Sequence, residues 1–213
     1  MAVRKLKDYE NIALIFENLK DVLNFSDVFG RKNAVHIEIG SGKGTFLVSQ
    51  AIACPEVDFI GIEWARKYYR YAVDRIGRKG LNNVRLIRTE AASFIEKNIA
   101  DECVDCFHIY FPDPWPKRSH HKRRFICGKN IAQMIRCLKT AGRINIATDH
   151  KEYYEWMRNE FKPFEDKLQE ADFIKPAGAR ENELVGTNYE RKYIKENRNI
   201  FTLAFLKRTA QNI

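Results

Sequence analysis

The sequence predicts an α/β fold: a mainly parallel sheet with helices on both faces. Runs rich in branched apolar residues alternate with segments of helical period. A glycine loop, Gly40-Ser41-Gly42-Lys43-Gly44, follows the first run directly, and a helical segment follows the loop. Five strand ends each carry an acid: Glu38, Glu63, Glu90, Asp113 and Asp149. In parallel α/β sheets ligands bind beyond the carboxyl ends of the strands, so these acids mark the expected site.

Taken in order, residues 8–24 place Ile12, Ile15, Leu19, Val22 and Leu23 at helical spacing, which predicts a packing helix ahead of the main unit. Ala34–Ile39 alternates and is rich in branched residues, which predicts the first strand. Thr45–Ala53 reads as a helix stopped by Cys54-Pro55. Asp58–Ile62 is the second strand, Arg66–Arg78 a helix ending near Gly80, and Asn83–Arg88 the third strand, with a short helix after it. Val104–Tyr110 is the fourth strand. A helix is expected from about Arg124 to Thr140, a fifth strand over Arg143–Ala147, and a helix over Lys151–Phe161. The remainder is less regular: a strand near Lys167–Phe173, a loop from Lys175 to Thr187, and a last strand over Ile200–Leu206. No repeat, low-complexity tract or linker interrupts the chain. It therefore reads as a single domain over residues 1–213, with 1–30 a helical lead-in and 31–213 the α/β core.

Composition narrows the partner. The chain has 213 residues, 45% hydrophobic and 31% charged, values of a globular rather than a disordered protein. Its net charge of +9 points to a polyanion, nucleic acid before a membrane surface. No apolar run has the length of a spanning helix, and Ile12 to Phe16 is too short for a signal peptide's apolar region, so a soluble, cytoplasmic protein is expected. Five scattered cysteines do not form a disulfide framework. Cys103 and Cys106 have a C-x-x-C spacing, but on a strand residues three apart face opposite sides, and no second pair completes a site. No metal is expected.

The most informative stretch runs from Phe111 to Arg124. Pro112, Pro114 and Pro116 bar it from a helix interior or a central strand, so it must be a shaped loop. Asp113 is locked between two prolines, with Trp115 beside it. Five of the eight residues from Lys117 to Arg124 are Lys or Arg, the others being Ser119, His120 and His121. A fixed acid, a flat aromatic and a block of positive charge suit a place that holds a base while gripping phosphates. Read blandly, the same residues are a rigid turn and a solvated basic helix start.

The glycine loop lacks the third glycine of a dinucleotide fingerprint, since Thr45 stands there, and this disfavours a nicotinamide enzyme. The pattern Glu38-x-Gly40-x-Gly42-x-Gly44 instead resembles the first motif of class I methyltransferases that use S-adenosylmethionine. With Pro112-Asp113-Pro114-Trp115-Pro116-Lys117, the basic run behind it, Thr148-Asp149 and Thr187-Asn188-Tyr189-Glu190, the chain from residue 25 onward resembles the tRNA (guanine-N(7)-)-methyltransferase family. That resemblance implies a single-domain Rossmann-like class I fold with an antiparallel last strand. It also implies methyl transfer from S-adenosylmethionine, leaving S-adenosylhomocysteine, to a guanine in the variable loop of tRNA.

Carried over by position, Glu38, Gly40, Gly42, Glu63, Glu90 and Asp113 would line the cofactor and the active site. Glu38 would face the cofactor's cationic end, Glu63 the ribose hydroxyls and Glu90 the adenine edge. Lys117, Asp149, Thr187, Asn188, Tyr189 and Glu190 would contact substrate. Arg118, Ser119, His120, His121, Lys122, Arg123 and Arg124 would lie along the RNA. Two residues depart from the family: Ser119 stands where a basic residue is common, and Glu90 where aspartate is common. The chemistry is compatible with the residues. A ring nitrogen with a free in-plane lone pair needs alignment rather than a general base, and a fixed carboxylate such as Asp113 stabilises the cationic product as it forms. Asp149 or Asp113 could also accept from the guanine's Watson–Crick edge. Asp149 equally reads as a helix cap, and Glu190 as part of a solvated helix face. Two rivals remain at this point. An enzyme acting on an exocyclic amine is disfavoured by the lack of two consecutive prolines, and a non-catalytic RNA-binding module by the intact acids.

Overall fold

The computed structural model describes residues 5–15 and 22–209. One eight-stranded sheet organises them. Its strands are β1 (Ala13–Leu14), β2 (Ala34–Ile39), β3 (Val57–Ile62), β4 (Val84–Ile87), β5 (Val104–Tyr110), β6 (Leu138–Thr148), β7 (Leu168–Glu170) and β8 (Phe201–Lys207). The spatial order is β1-β4-β3-β2-β5-β6-β8-β7. The pairings from β1 to β6 are parallel, while β8 runs antiparallel to both β6 and β7. The order reverses between β2 and β5, the switch point at which an α/β sheet opens a crevice.

Alternation along the strands sends side chains to two layers. Val35, Ile37, Ile39, Phe107 and Ile109 meet α4 (Ala91–Asn98), α5 (Gly128–Cys137) and α6 (Lys151–Phe161) on one face. Phe59, Leu86 and Tyr110 meet α2 (Thr45–Ala53) and α3 (Arg66–Arg78) on the other. Close approach of α2 requires a residue without a side chain in β3: a Cβ on Gly61 would come within 2.4 Å of Leu47 and 2.5 Å of Leu86. Two further helices, α1 (Phe25–Phe29) and α7 (Asn188–Lys195), complete the fold. Among the described residues no helix is long and apolar enough to cross a membrane.

The expected helix over residues 8–24 is not formed where the chain is described; residues 16–21 of that span, Leu19 included, lie outside the described residues. Residues 10–12 form a turn and Ala13–Leu14 a strand against β4. The carbonyl of Ile12 accepts from Leu86 N–H at 2.8 Å, and the Ile12 side chain is fully buried. Covering an open sheet edge outweighs a weak helical spacing here. The helix expected from about Arg124 starts only at Gly128, behind a 3-10 helix over Arg118–Arg123. The fifth strand begins at Leu138, five residues earlier than expected, because β6 follows α5 without a loop.

Candidate active site

The glycine loop turns tightly from β2 toward α2. Gly40 and Gly42 have φ of +74° and +54°, the left-handed region that favours glycine. No atom lies within 4 Å of where a Cβ of Gly40 would stand, and Gly42 would meet only a carbonyl at 4.0 Å. The loop therefore presents bare backbone to open space. Glu63, at the end of β3, fixes it: one carboxylate oxygen accepts from Gly42 N–H at 2.8 Å and the other from Ala65 N–H at 2.7 Å. Glu38 lies beneath, 4% exposed, with one oxygen lacking any hydrogen-bond partner among the described residues. Burial, and secondarily the charge of Glu63, push its carboxyl well above the usual carboxylate range.

Two adjoining cavities occupy the switch point. One of about 250 Å³ is lined by Glu38, Gly40, Gly42, Phe46, Thr187 and Asn188, among others. The other, of about 370 Å³, is lined by Glu63, Thr89, Ala91, Asp113, Trp115 and Arg123, among others. Gly40, Gly42, Tyr68, Tyr110 and Tyr189 border both, so they form one cleft. A larger cavity of about 750 Å³ lies near Glu102, Thr140 and Lys207, at the opposite end of the sheet from the glycine loop. It contains none of the strand-end acids, and a parallel sheet binds at the other end.

The proline loop forms the far wall. Phe111 and Trp115 have φ of +53° and +43°. A non-glycine residue held there stores ~1–3 kcal/mol, which surrounding contacts must offset. The Phe111 N–H donates to the Ala147 carbonyl at 2.7 Å, and Arg124 braces the next part of the loop at Pro114. Its Nε donates to the Pro114 carbonyl at 2.8 Å, and its two terminal nitrogens donate to Glu152 of α6 at 3.1 and 2.6 Å. The guanidinium packs over Tyr153 and Trp156, 4.9 and 4.8 Å from their ring centres. Its hydrogen bonds hold the Glu152 carboxyl below the usual range. Asp113, thus positioned, is exposed and makes no hydrogen bond or ion pair with a described residue. Arg123 stacks on Trp115 at 4.9 Å, and His120 meets the same ring edge-on.

The structure corrects several expected roles. Arg124 is 3% exposed and cannot lie along RNA; it is the loop's anchor. Lys117, Arg118, Ser119, Lys122 and Arg123 are exposed, with His120 and His121 half-buried. Glu190 is fully buried rather than solvated. It accepts from the backbone N–H groups of Leu184, Val185 (3.1 Å) and Gly186 (2.7 Å), while Thr187 caps α7 by accepting from Glu190 N–H at 3.0 Å. It therefore shapes the loop that brings Thr187, Asn188 and Tyr189 to the cleft and does not itself reach a substrate there. Glu90 caps α4 through Ala92 and Ser93 N–H, at 2.9 and 2.7 Å, leaving Thr89 and Ala91 to line the cleft. Asp149 is not the cap of α6, a role His150 takes; it pairs with Arg198 at 2.8 Å. Asp149 and Lys117 are near the strand ends in sequence but are not in the cleft wall.

Tyr68, Tyr110 and Lys192 line the cleft without having been singled out by the sequence. Tyr110 has a signal, the last residue of the fourth strand. Tyr68 and Lys192 depend on helix register. Behind Tyr110 runs a buried chain: Tyr110 Oη is hydrogen-bonded to His108 Nδ1 at 2.8 Å, and His108 Nε2 to His36 Nδ1 at 3.1 Å. Burial lowers the pKa of His36 to about 4 and pushes that of His108 well down, keeping both imidazoles neutral. Cys106 lies beside them, the three potential ligand atoms all within 4.8 Å of one another. Burial pushes its thiol up to about 12.

A sheet of this order with its cleft at the β2–β5 switch point defines the class: a class I methyltransferase fold. Solved structures share it, including a 30S ribosomal A1408 methyltransferase from an uncultured bacterium (TM-score 0.58, 18% identity, covering 86% of this chain and 92% of that one). An antibiotic-related methyltransferase is similar too (TM-score 0.60, 18% identity, 85% and 92% covered). The family model described as "Putative methyltransferase" matches residues 32–203. Curated relatives named tRNA (guanine-N(7)-)-methyltransferase include those of Rhodopirellula baltica, 37% identical over 65% of this chain and 53% of the relative, and Streptococcus thermophilus, 31% identical over 82% and 81%. The matched region spans little more than half the length of the relatives from Rhodopirellula baltica and Nitrosococcus oceani (53% and 58%). The chain belongs to the tRNA (guanine-N(7)-)-methyltransferase family.

The cleft fits S-adenosylmethionine. Its glycine cradle is open where side chains would intrude, and the unpartnered buried oxygen of Glu38 calls for a cationic or proton-donating group.

Proposed function

We propose that this protein transfers a methyl group from S-adenosylmethionine to N(7) of a guanine in the variable loop of tRNA, as a cytoplasmic enzyme built on a single methyltransferase domain. The observation that carries this reading is one cleft that joins a cavity bordered by Glu38 and the glycine loop to one bordered by Glu63, Asp113 and Trp115. Relatives bearing that name support it.

The cofactor supplies an electrophilic methyl on a cationic sulfonium; everything else falls to the chain. The glycine loop and Glu63 hold the nucleoside part, and Glu38 meets positive charge. Trp115, braced by Arg123, offers a ring face for the target base. Asp113 lies where a base entering from the proline loop would stand, unpaired and ready to accept from it. As the ring nitrogen is alkylated the base becomes cationic, and a preorganised carboxylate favours that change. No proton need leave the nitrogen, so a general base is not part of this scheme. Thr187, Asn188 and Tyr189 close the third side, held by Glu190. The exposed cations Lys117, Arg118, Lys122 and Arg123 are placed to meet phosphates beside the cleft. No resident metal is part of this scheme.

Incubation with labelled S-adenosylmethionine and bulk tRNA, followed by nucleoside identification, tests the proposal. The label is expected in 7-methylguanosine. Its appearance in another nucleoside would overturn the assignment.

A further inference from the structure

The cleft has basic, aromatic ground on two sides, one of them the proline loop. The other side is α3. Along it Arg66, Lys67 and Arg70 are exposed and make no ion pair with a described residue. The only acid within the helix, Asp74, is 2% exposed, bonded to Arg78 and to the backbone of Lys7. Asp74 is thus engaged with Arg78, and no acidic side chain of α3 pairs with Arg66, Lys67 or Arg70. Two of them, Arg66 and Lys67, sit in the first helical turn, which holds no acid and has no capping side chain from its N-cap residue Ala65. Cations at that end oppose the helix dipole, so folding gives no reason to place them there.

Tyr68 and Tyr71, 37% and 39% exposed, lie among these cations. Lys43 of the glycine loop stands over both rings, 5.9 and 5.5 Å from their centres. Because Tyr68 also lines the cleft, the surface runs unbroken from the cleft wall onto the helix. Flat rings beside unpaired cations are what unstacked nucleotides and their phosphates require.

We infer that the α3 face, with Lys43, Lys67, Arg70 and Tyr71 at its centre, is a second RNA-contact surface that holds unpaired nucleotides of the same tRNA on the side of the cleft opposite the proline loop. It rests on the tRNA-methyltransferase reading above. The RNA is straddled: one basic face grips it at Arg118–Arg123, the other at α3, and the target base descends between them. A membrane surface fits less well, since the aromatics flank a cleft that a flat bilayer cannot enter.

The test compares the full-length wild type with Lys67→Gln/Arg70→Gln, Tyr71→Ala and Tyr71→Phe. Binding of an unmodified tRNA transcript is followed by fluorescence anisotropy over a salt series, and S-adenosylmethionine binding by calorimetry. The double variant is expected to bind tRNA roughly tenfold more weakly at low salt, with a log–log slope flatter by about 1–2 units. Tyr71→Ala is expected to lose about fivefold or more, and Tyr71→Phe, which keeps the ring face, less than about twofold. Cofactor affinity should be unchanged throughout. If the double variant loses cofactor affinity, the Tyr71 pair decides, because equal loss in both or in neither overturns the inference. Wild-type methylation of tRNA with unchanged variant affinity and slope overturns it while sparing the proposed activity. A wild type that binds no tRNA overturns both. Loss of binding to anionic phosphatidylserine vesicles with tRNA affinity intact would assign the face to a membrane instead.

Discussion

Replacing Arg124 by Met separates an anchor from a phosphate contact. The substitution keeps most of the aliphatic stem and removes the guanidinium. Three hydrogen bonds go with it, two of them to the carboxylate of Glu152. Hydrogen bonds to charged groups are worth ~1.5–3 kcal/mol and neutral ones about 1. Against this stands the cost of having desolvated a guanidinium whose side chain is 0% exposed, which the variant no longer bears. Glu152, 51% exposed, returns to water at little cost. The net loss is about 2–4 kcal/mol, or roughly 4–16 °C in melting temperature for a chain of this size. Freed from Pro114, the loop should let Asp113 drift, and kcat should fall by about tenfold or more, since misplacement of a catalytic group by an ångström has effects of that order. The salt slope of tRNA binding should not change. Thermal melts, single-turnover methylation and anisotropy over a salt series measure the three quantities. A variant with wild-type stability and a slope flatter by about 0.7–0.9 would refute the anchor and restore Arg124 to the RNA surface.

Other perturbations have equally specific outcomes. Lys122→Gln/Arg123→Gln should flatten the salt slope by about 1–2 units without altering S-adenosylmethionine affinity; an unchanged slope would leave the run a solvated surface. Glu63→Ala removes the acceptor of both Gly42 and Ala65 N–H, and calorimetry should show cofactor binding weaker by about 2–4 kcal/mol. Glu38 is raised well above its usual range in the folded state, so folding takes up a proton as pH rises past the unfolded value. The stability it contributes is complete below the ordinary Glu range and is lost as pH rises through the folded value. Chemical denaturation should therefore show Glu38→Gln losing less stability than wild type between acidic and neutral pH, and parallel profiles would contradict the burial argument. Glu190→Gln leaves an amide facing the N–H groups of Leu184, Val185 and Gly186, a local cost of about 2–4 kcal/mol. Hydrogen exchange at those three amides should accelerate first.

What the sequence made legible is what local rules control. Branched alternation located the central strands, and the glycine loop needed only the left-handed backbone that Gly40 and Gly42 permit. The three prolines made a loop of residues 112–116 whatever surrounds them. Acids at strand ends were legible because a parallel sheet delivers all its carboxyl ends to one edge. The misreadings are long-range. Arg124 looks like part of a basic run until Glu152, 28 residues away, is brought to it. Glu190 looks solvated until three amides of the preceding loop turn toward it. Ile12 and Ile15 show helical spacing, but the open edge of β4 takes the backbone of Ala13–Leu14 instead. Glu90 ends its strand like the others, yet the bare N-terminus of α4 claims its carboxylate. In each case a partner distant in sequence, or an unsatisfied backbone group, decided the role.

The ring nitrogen of guanine as methyl acceptor can be tested by changing one atom of the substrate. In a tRNA carrying 7-deazaguanine at the target, C–H replaces that nitrogen while the Watson–Crick edge is kept. Single-turnover methylation should compare it with the unmodified tRNA at matched binding. The substituted tRNA is expected to bind normally and accept no methyl group. Methyl incorporation at the deaza position would show that another atom is the acceptor and would contradict the proposed activity.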